Sequence, residues 1–218
     1  MTAEETLAQI ASEVSVCTKC VLHKTRNKSV PGEGPANSEI MLIGEGPGFN
    51  ENEQGRPFVG AAGMFLEELL AQAGLKRTDV WIGNVVKCRP PGNRDPMPDE
   101  LAACNVYLER QIAAIDPKII ITLGRFSMGK FMPGAKISQV HGQMRKVGNR
   151  FVIAMFHPAA ALHQAALKPA ILADFGKLPQ LLDVARKELA KQTPGQVAEQ
   201  KLAYEAPKPE EPKQMKLF

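Results

Sequence analysis

Cys17, Cys20, Cys88 and Cys104 are the only cysteines in the chain, spaced C-x2-C and then, far downstream, C-x15-C. A C-x2-C pair delivers two soft ligands to one centre, and four thiolates complete the shell of either a zinc ion or an iron–sulfur cluster. Zinc ribbons use two C-x2-C knuckles, so the wide second pair favours the bulkier centre without deciding it. A second group with chemical potential is the glycine turn Gly44-Glu45-Gly46-Pro47-Gly48, placed directly after an apolar run. It is not a dinucleotide fingerprint, because Phe49 stands where the last glycine of G-x-G-x-x-G belongs. It is not a phosphate loop either, since no Gly-Lys-Ser/Thr follows. Its glycines let backbone N–H groups approach a planar ligand closely. Phe58, in Gly55-Arg56-Pro57-Phe58-Val59-Gly60, offers a face on which a base stacks. Asn84 offers a donor and an acceptor side by side. His157 opens His157-Pro158-Ala159-Ala160-Ala161-Leu162-His163, in which His163 reads as a surface residue or a zinc ligand.

Positioning these groups requires a scaffold, and the apolar pattern supplies one. Glu39 to Gly44, Val80 to Val86, Lys118 to Leu123 and Phe151 to Met155 read as buried strands. Helical patterns occupy residues 3–15, 61–74 and 167–190, and Asp99 is placed to cap another helix that runs to about Ile115. Strands alternating with helices predict a parallel sheet covered on both faces, with ligands gathered beyond the carboxyl ends of the strands. Glu45, Asn84 and His157 each follow or end a different strand, so three distant segments converge on one site.

The 218 residues carry 27 Lys+Arg and 23 Asp+Glu, a formal charge of +4. Near-average apolar content argues for a folded globular chain. No apolar run is long enough to span a membrane, and the acidic start lacks a secretory pattern, which predicts a cytoplasmic protein. No Asp or Glu occurs between Asp116 and Asp174, a stretch holding Lys118, Arg125, Lys130, Lys136, Arg145, Lys146, Arg150 and Lys168. Lys19, Lys24, Arg26 and Lys28 surround the first cysteine pair. Such asymmetry points to a polyanionic partner, nucleic acid foremost.

Taken together, the glycine turn, the Gly55–Gly60 segment, Asn84-Val85-Val86-Lys87-Cys88-Arg89-Pro90-Pro91, His157-Pro158 and the four cysteines resemble the family 4 uracil-DNA glycosylases, the iron–sulfur type. The match runs from about residue 10 to 190. The resemblance implies a three-layer α/β/α sandwich with a central four-stranded parallel sheet, and a [4Fe-4S] cluster on Cys17, Cys20, Cys88 and Cys104. It implies a monofunctional enzyme of base excision repair that hydrolyses the N-glycosidic bond of uracil in single- or double-stranded DNA and leaves an abasic site. Catalysis falls to Glu45, Asn84 and His157, and the base is held by Glu45, Gly46, Pro47, Gly48, Glu51, Phe58, Asn84 and His157. Phe58 stacks on uracil, Asn84 reads its N3–H and O4, and His157 with backbone N–H groups of Glu45 and Gly46 stabilises charge on O2. Glu51 approaches the base near C5, and Ala161 and Leu162 enter the vacated stack as a wedge. X-type relatives carry Lys-Arg-Arg-Ile-His where this chain has Cys88-Arg89-Pro90-Pro91-Gly92, so covalent capture of DNA is not expected. Family 1 enzymes place Asp where this chain has Gly46, which leaves the water-activating group open.

Beyond residue 190 the pattern lapses into a Pro-, Glu- and Lys-rich segment, 191–218, that reads as a flexible tail. It ends in Gln214-Met215-Lys216-Leu217-Phe218, similar to the bacterial sliding-clamp motif, with Gln214, Leu217 and Phe218 as anchors. The chain is otherwise expected to act as a monomer without membrane contact. Two alternatives remain: a glycosylase with a wider range of deaminated bases, and a non-catalytic iron–sulfur DNA-binding module.

Overall fold

The computed structural model describes residues 1–191, so the clamp-like peptide at 214–218 lies outside the described residues. Along the chain run α1 (Ala3–Val16), β1 (Ile40–Gly44), α2 (Phe49–Gln54), α3 (Ala61–Gln72), β2 (Trp81–Asn84), α4 (Pro98–Ile115) and β3 (Ile119–Leu123). Then follow α5 (Arg125–Phe131), α6 (Ile137–Val140), β4 (Gln143–Val147), β5 (Arg150–Met155), α7 (Pro158–His163) and α8 (Lys168–Ala190). The strands form one sheet of order β2-β1-β3-β5-β4. Its first four members are parallel, as the alternation of strands and helices predicts. The fifth, β4, adds antiparallel to β5 at the edge and was not foreseen. Its exposed and half-buried residues, Gln143, Arg145 and Lys146 among them, carry no apolar run to betray a strand.

Burial on both faces explains the unbroken apolar strands. Ile40, Leu42, Ile119, Ile121 and Ile153 point into a core shared with Leu66, Leu69, Phe175 and Leu178 of α3 and α8. Met41, Ile43, Ile120 and Val152 point the other way, onto Leu108 and Ile112 of α4, Met128 of α5 and Met132 that caps it. This is the period-two alternation of a strand inside a three-layer sandwich. A third cluster joins Ile10, Val14 and Leu22 to Val86 and Tyr107, securing α1 and the loop behind it against α4.

The start of α4 differs from expectation. Met97 is its N-cap, Pro98 fills the first turn, and the Glu100 carboxylate accepts from the Met97 N–H at 2.8 Å. Asp99 therefore sits inside the first turn, where it favours the helix dipole instead of capping it. Glu100 is fully buried and also accepts a two-pronged pair from Arg94.

A candidate base-binding site at the carboxyl edge of the sheet

The order of the strands creates the crevice. From β1 the chain moves to β2 on one side and later to β3 on the other, a switch point at which open α/β sheets bind ligands. Gly44 and Asn84 end β1 and β2 in direct register. A Cβ at Gly44 would collide with Asn84 Oδ1 and come within 2.7 Å of Phe58 Cζ. Only glycine leaves room for both side chains at the head of the strand.

One cavity of about 460 Å³ opens there, and Glu45, Gly46, Pro47, Gly48, Glu51, Phe58, Asn84 and His157 all line it. Asn84 is 1% exposed, and its Oδ1 is buried without a hydrogen-bond partner. An orphan acceptor of this kind costs about 1–3 kcal/mol unless a donor reaches it, so its presence here calls for an explanation. Phe58 is both a core residue and a wall. It is 5% exposed, and its ring lies 5.5 Å from that of His157 at an interplanar angle of 25°. Its backbone is left-handed, φ 51°, a strained conformation for a phenylalanine. Arg77 holds that strain in place by donating to Phe58 O at 3.0 Å and to Pro57 O, while its guanidinium pairs with Glu33.

His157 is the N-cap of α7, and its Nδ1 accepts from the Ala159 N–H at 3.1 Å. That bond fixes the tautomer: the proton sits on Nε2. Burial pushes the imidazole down to about 4, so the ring is neutral near pH 7. Some cavity solvent still reaches the residue, which tempers but does not reverse the shift. Glu45 moves the other way. Burial first, then the charge of Asp95, raises its carboxyl to about 7 against the pull of Arg125.

Glu51 lines the cavity, but its carboxylate is fully engaged with the backbone. Oε1 accepts from Val59 and Gly60 at 2.9 Å each, and Oε2 from Gly48 at 3.1 Å. It thereby rivets the glycine turn to the Phe58 loop. Ala161 is buried in the core, whereas Leu162 is 52% exposed, so only the latter presents an apolar surface outward. His163 reaches the cavity rim and is exposed. Asn93 and Arg94 also line the cavity, and their sequence context offered no motif to single them out.

The cysteines gather at a separate place. Cys17 closes α1, Cys20 opens the next helical turn, Cys88 follows β2 and Cys104 lies on α4, and all four line one small cavity. Arg26 donates to the Cys17 carbonyl at 2.7 Å and approaches Cys88 Sγ at 3.5 Å, and the Lys87 N–H donates to Cys104 Sγ at 3.3 Å. Burial pushes the Cys20 and Cys88 thiols up, and Cys104 to about 11. Among the described residues no three His, Cys, Asp or Glu side chains are drawn together tightly enough for a single metal ion. Four soft donors around one cavity, with N–H groups aimed at sulfur, are the donor set of a thiolate-bound metal centre.

The basic stretch is less open than its composition implies. Lys118 and Arg150 pair with Asp116, Arg125 with Asp95, and Lys130 with Glu109, all carboxylates outside the stretch. No helix among the described residues is long and apolar enough to cross a membrane.

A cavity with an aromatic wall, a buried carboxamide and a neutral imidazole thus sits at the switch point of a three-layer α/β sandwich. A sequence model of the uracil DNA glycosylase superfamily matches residues 31–177. The chain is 46% identical over 186 residues to a type-4 uracil-DNA glycosylase of Archaeoglobus fulgidus, covering 81% of this chain and 94% of that protein. It is 44% identical over 181 residues to the type-4 enzyme of Thermotoga maritima, with the same coverage of 81% and 94%. A type-5 uracil-DNA glycosylase of Pyrobaculum aerophilum is more distant, at 29% over 150 residues, 61% of this chain and 66% of that protein. The chain belongs to the uracil DNA glycosylase superfamily, among its type-4 members.

Proposed function

We propose that this protein removes uracil from DNA by hydrolysing the bond between the base and its deoxyribose, the first step of base excision repair. The observation that carries the reading is the buried, unpartnered carboxamide oxygen of Asn84, a residue that lines one cavity together with Phe58 and His157. Uracil presents N3–H beside O4. Asn84 Oδ1 accepts from the first and its Nδ2 donates to the second, while Phe58 covers the ring. Cytosine reverses both groups and leaves two buried mismatches, each costing about 1–3 kcal/mol. A base inside a duplex must first leave the stack, and Leu162, whose apolar side chain is exposed, would fill the gap.

The C1′–N1 bond then breaks with its electron pair departing on uracil, leaving a cationic sugar. His157 donates Nε2–H to O2 as charge grows there. A neutral donor stabilises the uracil anion without adding a second charge to a dry pocket. Glu45, ionised above about pH 7, faces the cationic sugar and takes a proton from the water whose oxygen joins C1′. Glu51 acts by holding the turn and the Phe58 loop together.

Cys17, Cys20, Cys88 and Cys104 would hold a [4Fe-4S] cluster, for which the shared cavity and the sulfur-directed donors are the support. Its contribution there is cross-linking: it would tie α1 and the loop after it to α4 and the segment leaving β2. Gln214, Leu217 and Phe218 would anchor a sliding clamp and raise the local concentration of enzyme at replicating DNA.

The test is release of free uracil from a uracil-containing oligonucleotide, beside thymine- and hypoxanthine-mispaired controls. Uracil release with inert thymine supports the reading. Binding without release would favour a non-catalytic module, and comparable release of hypoxanthine would favour a wider base range.

A further inference from the structure

Among the described residues, Lys87 is the largest side chain with almost no exposure, at 1%. A buried ammonium needs acceptors, and its choice of acceptors is informative. Nζ donates to the Asn84 main-chain carbonyl at 2.8 Å and to Gln111 Oε1 at 2.7 Å. The aliphatic stem brings it over Trp81, 5.7 Å from the ring centroid. Asn84 is the last residue of β2, so this bond bridges the end of the strand to the segment that leaves it, whose Val85 and Val86 N–H groups donate to Gly44 O and Glu45 O.

The lysine is itself held from three sides. Its N–H donates to Cys104 Sγ, its carbonyl accepts from Val30 at 2.8 Å, and Gln111 Nε2 donates onward to Pro31 O at 2.7 Å. Cys104 and Gln111 lie two turns apart on one face of α4. Lys87 therefore transmits the position of α4 and of the 30–31 segment to the residue that faces the base. An apolar side chain would be buried at lower cost, yet it could not grip a carbonyl.

We propose that Lys87 is a positioning residue for Asn84: it clamps the Asn84 carbonyl and so sets where the carboxamide meets the base. The proposal rests on the glycosylase reading above. Misplacing a reactive geometry by about 1 Å costs on the order of 100-fold in rate, so losing the clamp is expected to slow base release by roughly 10- to 100-fold.

The experiment uses the full-length protein and a double-mutant cycle. Single-turnover uracil release is measured for wild type, Lys87→Met, Asn84→Ala and the combination, with affinity for an abasic product oligonucleotide measured by anisotropy. Lys87→Met is expected to slow release roughly tenfold or more while product affinity stays within about threefold, and to add less than about twofold to Asn84→Ala. A residue that merely supported the fold would carry its full penalty onto Asn84→Ala. That outcome, or a Lys87→Met rate within about threefold of wild type, overturns the proposal. If Lys87→Met does not fold, Gln111→Leu, which removes the second acceptor of Nζ, is read by the same criteria. If the wild-type protein released no uracil, the glycosylase reading would fail. The clamp would then be judged by the Asn84 side-chain amide resonances, which Lys87→Met must shift and whose constancy would overturn it.

Discussion

Glu45→Gln tests the electrostatics of the site through the pH dependence of uracil release. Burial and the neighbouring charge of Asp95 raise the Glu45 carboxyl to about 7, while Arg125 pulls it back. If the ionised form is the active one, roughly a tenth of the protein is competent at pH 6 and roughly nine tenths at pH 8. kcat/KM should then rise about tenfold between those values and level off above them. His157, depressed to about 4, is neutral across the whole interval and contributes no limb of its own. Glu45→Gln should abolish the rise and leave a low, flat profile. Asp95→Asn removes a charge that lifts the carboxyl, so its midpoint should move to lower pH. The assay is single-turnover uracil release at constant ionic strength, from pH 5.5 to 9. A Glu45→Gln protein that kept the tenfold rise with an unmoved midpoint would refute the assignment.

The other expectations concern the reader, the imidazole, the cysteines and the terminus. Asn84→Ala removes two buried contacts worth about 1–3 kcal/mol each, so kcat/KM should fall by roughly 100-fold or more; near-wild-type turnover would sink the pairing scheme. Asn84→Asp should shift preference towards cytosine, and unchanged selectivity between the two bases would count against the scheme. Unfolded His157 takes up a proton below pH 6.5, but folded His157 resists until about 4, so stability present above 6.5 is lost as pH falls. The loss between pH 7 and 5 is up to about 2 kcal/mol, the partial solvent contact of the ring making this an upper figure. His157→Asn should flatten that dependence in urea titrations, and identical losses in both proteins would contradict the buried neutral ring. Cys104→Ser should bleach visible absorbance and lower the melting temperature; a colourless wild type purified without oxygen would exclude iron and sulfur. Deleting residues 214–218 should end clamp capture while leaving uracil release intact, and persistent capture would dismiss the terminal peptide.

Strands announced themselves because burial on both faces demands continuous apolar runs such as Ile40 to Ile43 and Ile119 to Leu123. The convergence of Glu45, Asn84 and His157 was legible for the related reason that parallel strands share one carboxyl edge. Local chemistry without a run was not. Strand β4 carries surface residues at an edge, and its place depends on β5 lying next to it. The N-cap of α4 fell to Met97 because the Glu100 side chain three residues later supplies the acceptor, a choice that Asp99 obscured. Glu51 has a site residue's position, but only the three backbone N–H groups it binds disclose what its carboxylate is doing. Lys87 stayed hidden for another reason. A lone lysine between Val86 and Cys88 looks like a surface charge until the fold encloses it.

The internal pairing of Lys118, Arg125, Lys130 and Arg150 bears on how the protein meets a genome. A cation already neutralised by its own carboxylate displaces few counterions from a duplex, so binding should weaken less steeply with added salt than a tally of eight basic residues suggests.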